Sequence, residues 1–378
     1  MADTALKAVI AAIIEADGPV SVSRYMSLCL GHPELGYYRT RDPLGQRGDF
    51  ITAPEISQMF GELIGIWMAS VWDQLGRPAK VRLVELGPGR GTLMADALRA
   101  AKALPDFVDA ASVHLVETSP VLREAQKRSL AKSGVSLAWH ADIADIPEGV
   151  PLVIVANEFF DALPIRQFVA TAGGWRERMV GLSEDGALVF GLSPEGWPGD
   201  PEKRTPDGPI KGTPGDIREV SPEAQNIMTG LARQIAVNRG ALLAIDYGYA
   251  RSAPGDTLQA MAAHRFVDVL DAPGNADLTA HVDFEALARA AKAGGVLIHP
   301  LLTQSALLQR LGIVARTAAL QRAAPARAGE FEAAALRLAG NGENQMGTLF
   351  KAFCVSSRDI VAPPAFDSAD LSNSGLAR

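Results

Sequence analysis

Three glycines stand close together in Leu83-Val-Glu-Leu-Gly-Pro-Gly-Arg-Gly91, between a short apolar run and a stretch with helical spacing. Gly87, Gly89 and Gly91 let a ligand approach the main chain with no Cβ in the way. Their spacing is neither the GxGxxG of a dinucleotide fingerprint nor a phosphate loop ending in Gly-Lys-Ser/Thr. Glu85 sits two residues before the first glycine. A carboxylate there repels a pyrophosphate and welcomes a positively charged amino-acid ligand. Glu117 ends the next predicted strand, where a carboxylate can accept both hydroxyls of a ribose. Asp142, followed by Ile143, ends the third and is placed for an adenine edge; Asn157 and Glu158 end the fourth. Ligands of open α/β sheets bind outside the carboxyl ends of the strands, so four successive strand ends with polar side chains form one constellation. Each has an ordinary alternative: Glu85 closing a turn, Glu117 in solvent, Asp142 capping a helix. Together they favour a bound cofactor.

This stretch resembles the class I S-adenosylmethionine-dependent methyltransferases. In that fold the atom to be methylated sits against the segment after the fourth strand, here Asn157-Glu-Phe-Phe-Asp-Ala-Leu-Pro164. Amine-methylating relatives often carry Asn-Pro-Pro-aromatic there; this chain has two carboxylates instead, Glu158 and Asp161. Methyl transfer is an in-line displacement, and the enzyme mainly positions a lone pair. A guanidinium keeps its charge and offers poor nucleophiles. Paired carboxylates can align it and hold its charge on the nitrogens that do not attack. Two acids at this place therefore suit an arginine. The alternative is a core Phe159-Phe160 pair with Asp161 as a helix cap.

The elements that must carry these residues alternate. Val81–Leu86, Ser112–Val116, Val135–His140 and Pro151–Ala156 read as strands, with helices over 92–102 and 120–132 between them, which predicts a parallel sheet with right-handed crossovers. The expected fold class is α/β, a Rossmann-like seven-stranded methyltransferase sheet with a helical N-terminal lid and an inserted hairpin and helical substrate region. Residues 1–78 form the expected lid region, 79–164 the cofactor half, 165–220 the inserted hairpin and loop, and 221–358 the rest of the sheet with a helical insertion near 301–340. A helix is expected over His281–Ala293, and residues 359–378 read as a flexible tail. Thr52-Ala-Pro-Glu55 reads as a capping box, with Thr52 as cap and Glu55 three residues on.

Composition narrows the class. Of 378 residues, 48% are hydrophobic and 21% charged, which excludes long-range disorder. A net charge of −7 repels a phosphate backbone, so no nucleic-acid partner is expected. Two distant cysteines, Cys29 and Cys354, make neither a disulfide scaffold nor a multi-cysteine metal site, and the histidines show no metal spacing. No apolar run is long enough for membrane insertion. Met1–Gly18 is amphipathic but carries Asp3, Glu15 and Asp17, unlike a leader, which points to a cytoplasmic protein.

Seven segments carry a more specific resemblance: 48–62, 83–93, Val116-Glu-Thr-Ser-Pro120, 157–164, Ile245-Asp-Tyr-Gly-Tyr249, Thr279-Ala-His-Val-Asp-Phe284 and Met346-Gly-Thr-Leu-Phe-Lys351. Over residues 15–356 the chain is similar to the MidA-like family, which includes mitochondrial proteins that assist assembly of respiratory complex I. The resemblance implies a protein arginine methyltransferase using S-adenosyl-L-methionine, with a core subunit of complex I as protein substrate. It implies cofactor contacts from Thr52, Pro54, Glu55, Glu85, Gly87, Pro88, Gly89, Gly91, Thr92, Glu117, Thr118, Ser119, Asp142, Ile143 and Asn157. Asp49, Thr52, Pro54, Glu55 and Gln58 would form a lid over the cofactor. Glu158, Asp161 and His281 are the expected catalytic residues, the histidine as acceptor of the proton lost on methylation. A small-molecule or RNA methyltransferase and an assembly chaperone that keeps the cofactor for structure stay open as alternatives, as does the oligomeric state.

Overall fold

The computed structural model describes residues 4–40, 52–197 and 212–367. The chain divides into two compact units. The first joins 1–43, 162–224 and 251–283; the second joins 44–161, 225–250 and 284–378, so the expected lid region of 1–78 is shared between them.

The second unit carries the mainly parallel sheet. Its strands are β1 (Val81–Leu86), β2 (Ala111–Val116), β3 (Ser136–His140), β4 (Leu152–Asn157), β5 (Gly240–Tyr249), β6 (Leu297–Ile298) and β7 (Phe350–Ser356). They lie in the order β6-β7-β5-β4-β1-β2-β3. The five strands from β5 to β3 are parallel, and β7 runs antiparallel to β5 and β6. A two-residue strand, Leu302–Thr303, also pairs with β7. The sequence order reverses at β1, which has β2 on one side and β4 on the other. That switch point is where an open α/β sheet leaves a crevice for a ligand.

The inner strands β4 and β5 are apolar on both faces, as buried parallel strands must be. Leu83, Val153, Leu243 and Cys354 lie in one core with Phe60, Trp67 and Leu98 from the flanking helices. Helix Gln58–Gln74 presents Gly65 to helix Thr92–Ala101, where a Cβ would stand 2.7 Å from the Ala97 Cα. The missing side chain lets the two backbones touch and seats the helix that follows the glycine loop.

The first unit has helices Ala5–Asp17 and Val22–Gly31 and an antiparallel sheet built on Arg166–Thr171, Gly174–Leu182, Leu188–Gly196 and Ile217–Val220. The hairpin expected within 165–220 is its centre. A second sheet of Gln259–Ala262, Arg265–Val267 and Asp277–Thr279 was not expected. Its strands are three or four residues long, too short for a clear alternation.

Several expected elements differ. The helix expected from His281 begins at Phe284, after the short strand Val282–Asp283. The alanine-rich stretch after 312 is two helices, Ile313–Ala323 and Ala328–Ala339, parted at Pro325. The expected flexible tail is corrected over 359–367: Ile360 and Phe366 are core side chains, buried because each is a large apolar group beside the sheet helices. Residues 368–378, residues 198–211 of the expected inserted loop and Asp49 lie outside the described residues.

Candidate active site

The crevice at the end of β1 is lined by main chain. Gly87, Gly89 and Gly91 all adopt left-handed backbone, with φ of +59°, +53° and +78°. Gly91 then caps helix Thr92–Ala101. A Cβ on Gly87 would stand 3.1 Å from the Phe159 ring, so the glycine loop touches the segment that follows β4. Pro88 is buried, and Thr92 is half-buried at the start of the helix.

Glu85 is 3% exposed. Burial pushes its carboxyl up to about 8, and its Oε2 has no hydrogen-bond partner. A buried carboxylate oxygen without a donor, next to a left-handed glycine loop, is suited to a cation. The residues therefore fit the amino-acid end of S-adenosylmethionine.

Glu117, at the end of β2, is also buried, and burial raises its carboxyl. Its Oε1 accepts the Ser119 N–H at 2.7 Å and its Oε2 accepts Gln126 Nε2 at 3.2 Å. The Thr118 N–H also bonds to this carboxylate, so the donors that hold Glu117 are backbone and amide groups, the neutral setting in which a carboxylate can accept ribose hydroxyls. Ser119 Oγ accepts the Leu122 N–H, so that hydroxyl caps helix Pro120–Leu130; Thr118 is exposed. Asp142 is exposed and caps a short 3-10 turn over Ile143–Asp145, and its own N–H donates to the Asp145 carboxylate. Its carboxylate is thus engaged locally, beside a half-buried Ile143.

The expected capping box at Thr52 does not form. Thr52 makes no side-chain cap, and Glu55 reaches the glycine loop instead: Thr92 Oγ1 donates to it at 2.5 Å and Arg90 lies 3.8 Å away. The helix it starts, Ala53–Ile56 with Pro54 in its first turn, ends after four residues. Ser57 then caps a separate helix from Gln58, with its Oγ accepting the Met59 N–H. At its other end the short helix donates the Ala53 N–H to Glu158 Oε1 at 3.3 Å. One turn of helix thus joins the glycine loop to the carboxylate after β4.

Glu158 itself has φ of +51°, unusual for a residue with a side chain. Its N–H donates to the Ile245 carbonyl, and Asn157 Nδ2 donates to its Oε1 at 3.0 Å. Burial, and then Asp161, push its carboxyl up to about 7. Asp161 is buried, and both it and Phe160 donate their N–H groups to Asp246 Oδ2, at 3.2 and 3.0 Å. Asp246 ends the buried part of β5, is 0% exposed, and is held well above the usual carboxylate range by burial and by its neighbours Asp161 and Glu158. Three carboxyls, two of them with raised pKa, therefore share the ends of β4 and β5. Such a group resists full ionisation until a cation joins it.

The raised carboxyls set a pH dependence. Glu85 and Glu158 titrate near 8 and 7 in the folded chain, against ~4.3 when unfolded. Across that window the folded state holds protons the unfolded state has released, so stability falls as pH rises. Cofactor-free protein is expected to melt roughly 5 °C lower at about pH 8.5 than at about pH 6, and Glu85→Gln to flatten the profile. A melting temperature that rises over this range would show that neither carboxyl is held protonated.

His281 lies in the other unit, half-buried, where its backbone N–H donates to Thr257 Oγ1 at 2.9 Å. Two polar residues of the site carried no expectation in the sequence. Gln126 is buried beneath the glycine loop, and Trp139 donates its indole N–H to it. The signal for Gln126 was an amide on the apolar helical stripe of Leu122 and Leu130. Among the described residues no His, Cys, Asp or Glu group is arranged to hold a metal ion, and no helix is long and apolar enough to cross a membrane.

Residues 63–300 match the family described as "Putative S-adenosyl-L-methionine-dependent methyltransferase". The chain belongs to this family. The mouse (Mus musculus) protein named protein arginine methyltransferase NDUFAF7, mitochondrial, is 40% identical over 332 residues, covering 80% of this chain and 73% of that protein. Its human (Homo sapiens) counterpart is 39% identical over 327 residues, covering 80% and 72%. A Burkholderia thailandensis protein solved bound to S-adenosyl-homocysteine superposes with a TM-score of 0.83 at 29% identity, over 97% of this chain and 95% of that one. The family resemblance and the α/β methyltransferase fold both stand, and the chain is an S-adenosylmethionine-dependent methyltransferase. The cytoplasmic expectation is overturned, because these curated relatives are mitochondrial proteins. It rested on the acidic residues of the first helix, but Leu6, Ile10 and Ile14 of that helix are core side chains.

Proposed function

We propose that this methyltransferase acts on an arginine side chain of a protein, a subunit of respiratory complex I. The observation that carries the proposal is the carboxyl group of Glu158, Asp161 and Asp246, against the glycine loop through Phe159. A cationic acceptor relieves their mutual repulsion, which a neutral acceptor does not. The curated relatives carry arginine methylation in their names.

When bound, the cofactor supplies an electrophilic methyl group on a sulfonium. Glu85 takes its ammonium, and Gly87, Pro88, Gly89, Gly91 and Thr92 shape the loop beneath it. Glu117, with Thr118 and Ser119 behind it, takes the ribose, and Asp142 and Ile143 flank the adenine. Thr52, Pro54, Glu55 and Asn157 close the side toward the acceptor. Glu158 and Asp161 hold the guanidinium and draw its charge to the nitrogens that do not attack. Glu158, held near 7, is suited to receive the proton that the methylated nitrogen sheds.

The test is methyl-labelled S-adenosylmethionine incubated with the protein and the subunits of complex I, followed by mass mapping. Label on an arginine of one subunit is expected. Label on a small metabolite, or cofactor binding with no label on any subunit, would replace the proposal with the small-molecule or chaperone alternative.

A further inference from the structure

Gln126 makes three side-chain bonds, each to a different part of the cofactor crevice. Its Nε2 donates to the Gly89 carbonyl at 2.7 Å and to Glu117 Oε2 at 3.2 Å. Its Oε1 accepts the Trp139 indole N–H at 2.9 Å. An indole N–H only donates and a carbonyl only accepts, so the orientation of the amide is fixed by its partners. Both amide hydrogens are used. The side chain is 0% exposed, and the missing Cβ of Gly91 leaves room for it, since a Cβ there would come within 3.4 Å of Gln126 Cα and Cγ. The guanidinium whose charge acts on Glu117, Arg123, is spent on backbone carbonyls: its Nε donates to Glu117 O at 2.7 Å and its Nη2 to His140 O at 2.9 Å. The Glu117 carboxylate is therefore held by neutral donors, not by a cation that would compete for its lone pairs.

We infer that Gln126 is the positioning residue of the cofactor crevice, clamping the glycine loop to the ribose-binding carboxylate so that both meet the nucleoside in one geometry. The inference rests on the proposed role of Glu117. Trp139 acts one step further out, by holding the amide in the orientation that aims both N–H groups inward. Neither side chain has to touch the cofactor for this.

Gln126→Glu keeps the shape and the bond from Trp139 but turns two donors into an acceptor facing an acceptor. The dissociation constant for S-adenosylmethionine at about pH 8 is expected to rise about tenfold to a hundredfold, the cost of two lost donors. The ratio to the native constant narrows toward about pH 6, where the introduced carboxyl, once protonated, can donate again. At saturating cofactor, kcat and the KM of the methyl acceptor are expected to stay within about twofold, which a general loss of structure would not allow. Glu117→Gln, measured beside it, separates the two levels. If Glu117→Gln weakens binding and Gln126→Glu does not, the clamp is wrong and the ribose site stands. If both bind as the native protein does, the ribose site itself is wrong. Should Gln126→Glu not fold, Trp139→Phe decides: a loss of about threefold or more in cofactor affinity supports the clamp, and an unchanged constant overturns it.

Discussion

A Gly89→Val protein is expected to keep its fold and bind S-adenosylmethionine at least about a hundredfold more weakly, a loss of ~3 kcal/mol or more. Gly89 has φ of +53°, a conformation that a β-branched residue almost never adopts. Forcing valine to hold it costs about 1–3 kcal/mol, and the loop escapes by changing shape. That shift also frees the Gly89 carbonyl from Gln126, which disturbs Glu117. The sheet beneath is unaffected, because β1 pairs with β2 and β4 through residues before the loop. Calorimetry measures the affinity, and melting without cofactor measures the fold. A variant that binds at native affinity would reduce the three glycines to a plain turn.

Glu158→Gln is expected to lower methyl transfer by on the order of tenfold to a hundredfold while changing cofactor affinity little. The substitution keeps an oxygen for the Ala53 N–H and removes the charge. A hydrogen bond to a charged group contributes roughly 1.5–3 kcal/mol, which sets the range. Cofactor binding should hold because Glu85, Glu117 and the glycine loop lie on β1 and β2, not β4. Asp161→Asn should lower transfer to a similar extent if its carboxylate meets substrate. If it serves only the turn whose N–H groups reach Asp246, it should chiefly lower the melting temperature. Full transfer by Glu158→Gln would remove the guanidinium clamp from the proposed mechanism.

The central sheet was legible because its signals are local. Val81–Leu86 is an apolar run closed by glycines, and Pro222–Asn238 is a helix bounded by Pro222 and Gly240. Residues at strand ends inherit their position from that pattern, which is why Glu85, Glu117, Asn157 and Glu158 could be placed together. The partners that hold them could not be placed. Gln126 bonds to residues 37 positions before it and 13 after it, and no spacing along one chain encodes that meeting. Glu55 was misplaced for the reverse reason: a capping box is a local pattern, and here Thr92 and Arg90 outcompete it. Asp246 lies in the Ile245–Tyr249 segment that the sequence singles out, but its acceptance of two N–H groups from the turn after β4 needs the register of β4 and β5.

The backbone at Glu158 sets stability against activity at a single position. A left-handed φ of +51° is one that glycine takes freely and glutamate takes only under constraint, at a cost of roughly 1–3 kcal/mol. Removing that side chain also removes one of three carboxyls crowded at the ends of β4 and β5. A search for thermostable variants guided by melting alone would therefore be drawn to Glu158→Gly and, under the proposed guanidinium clamp, would lose methyl transfer while improving its score. Engineering for heat resistance has to hold this position fixed and seek its gains elsewhere.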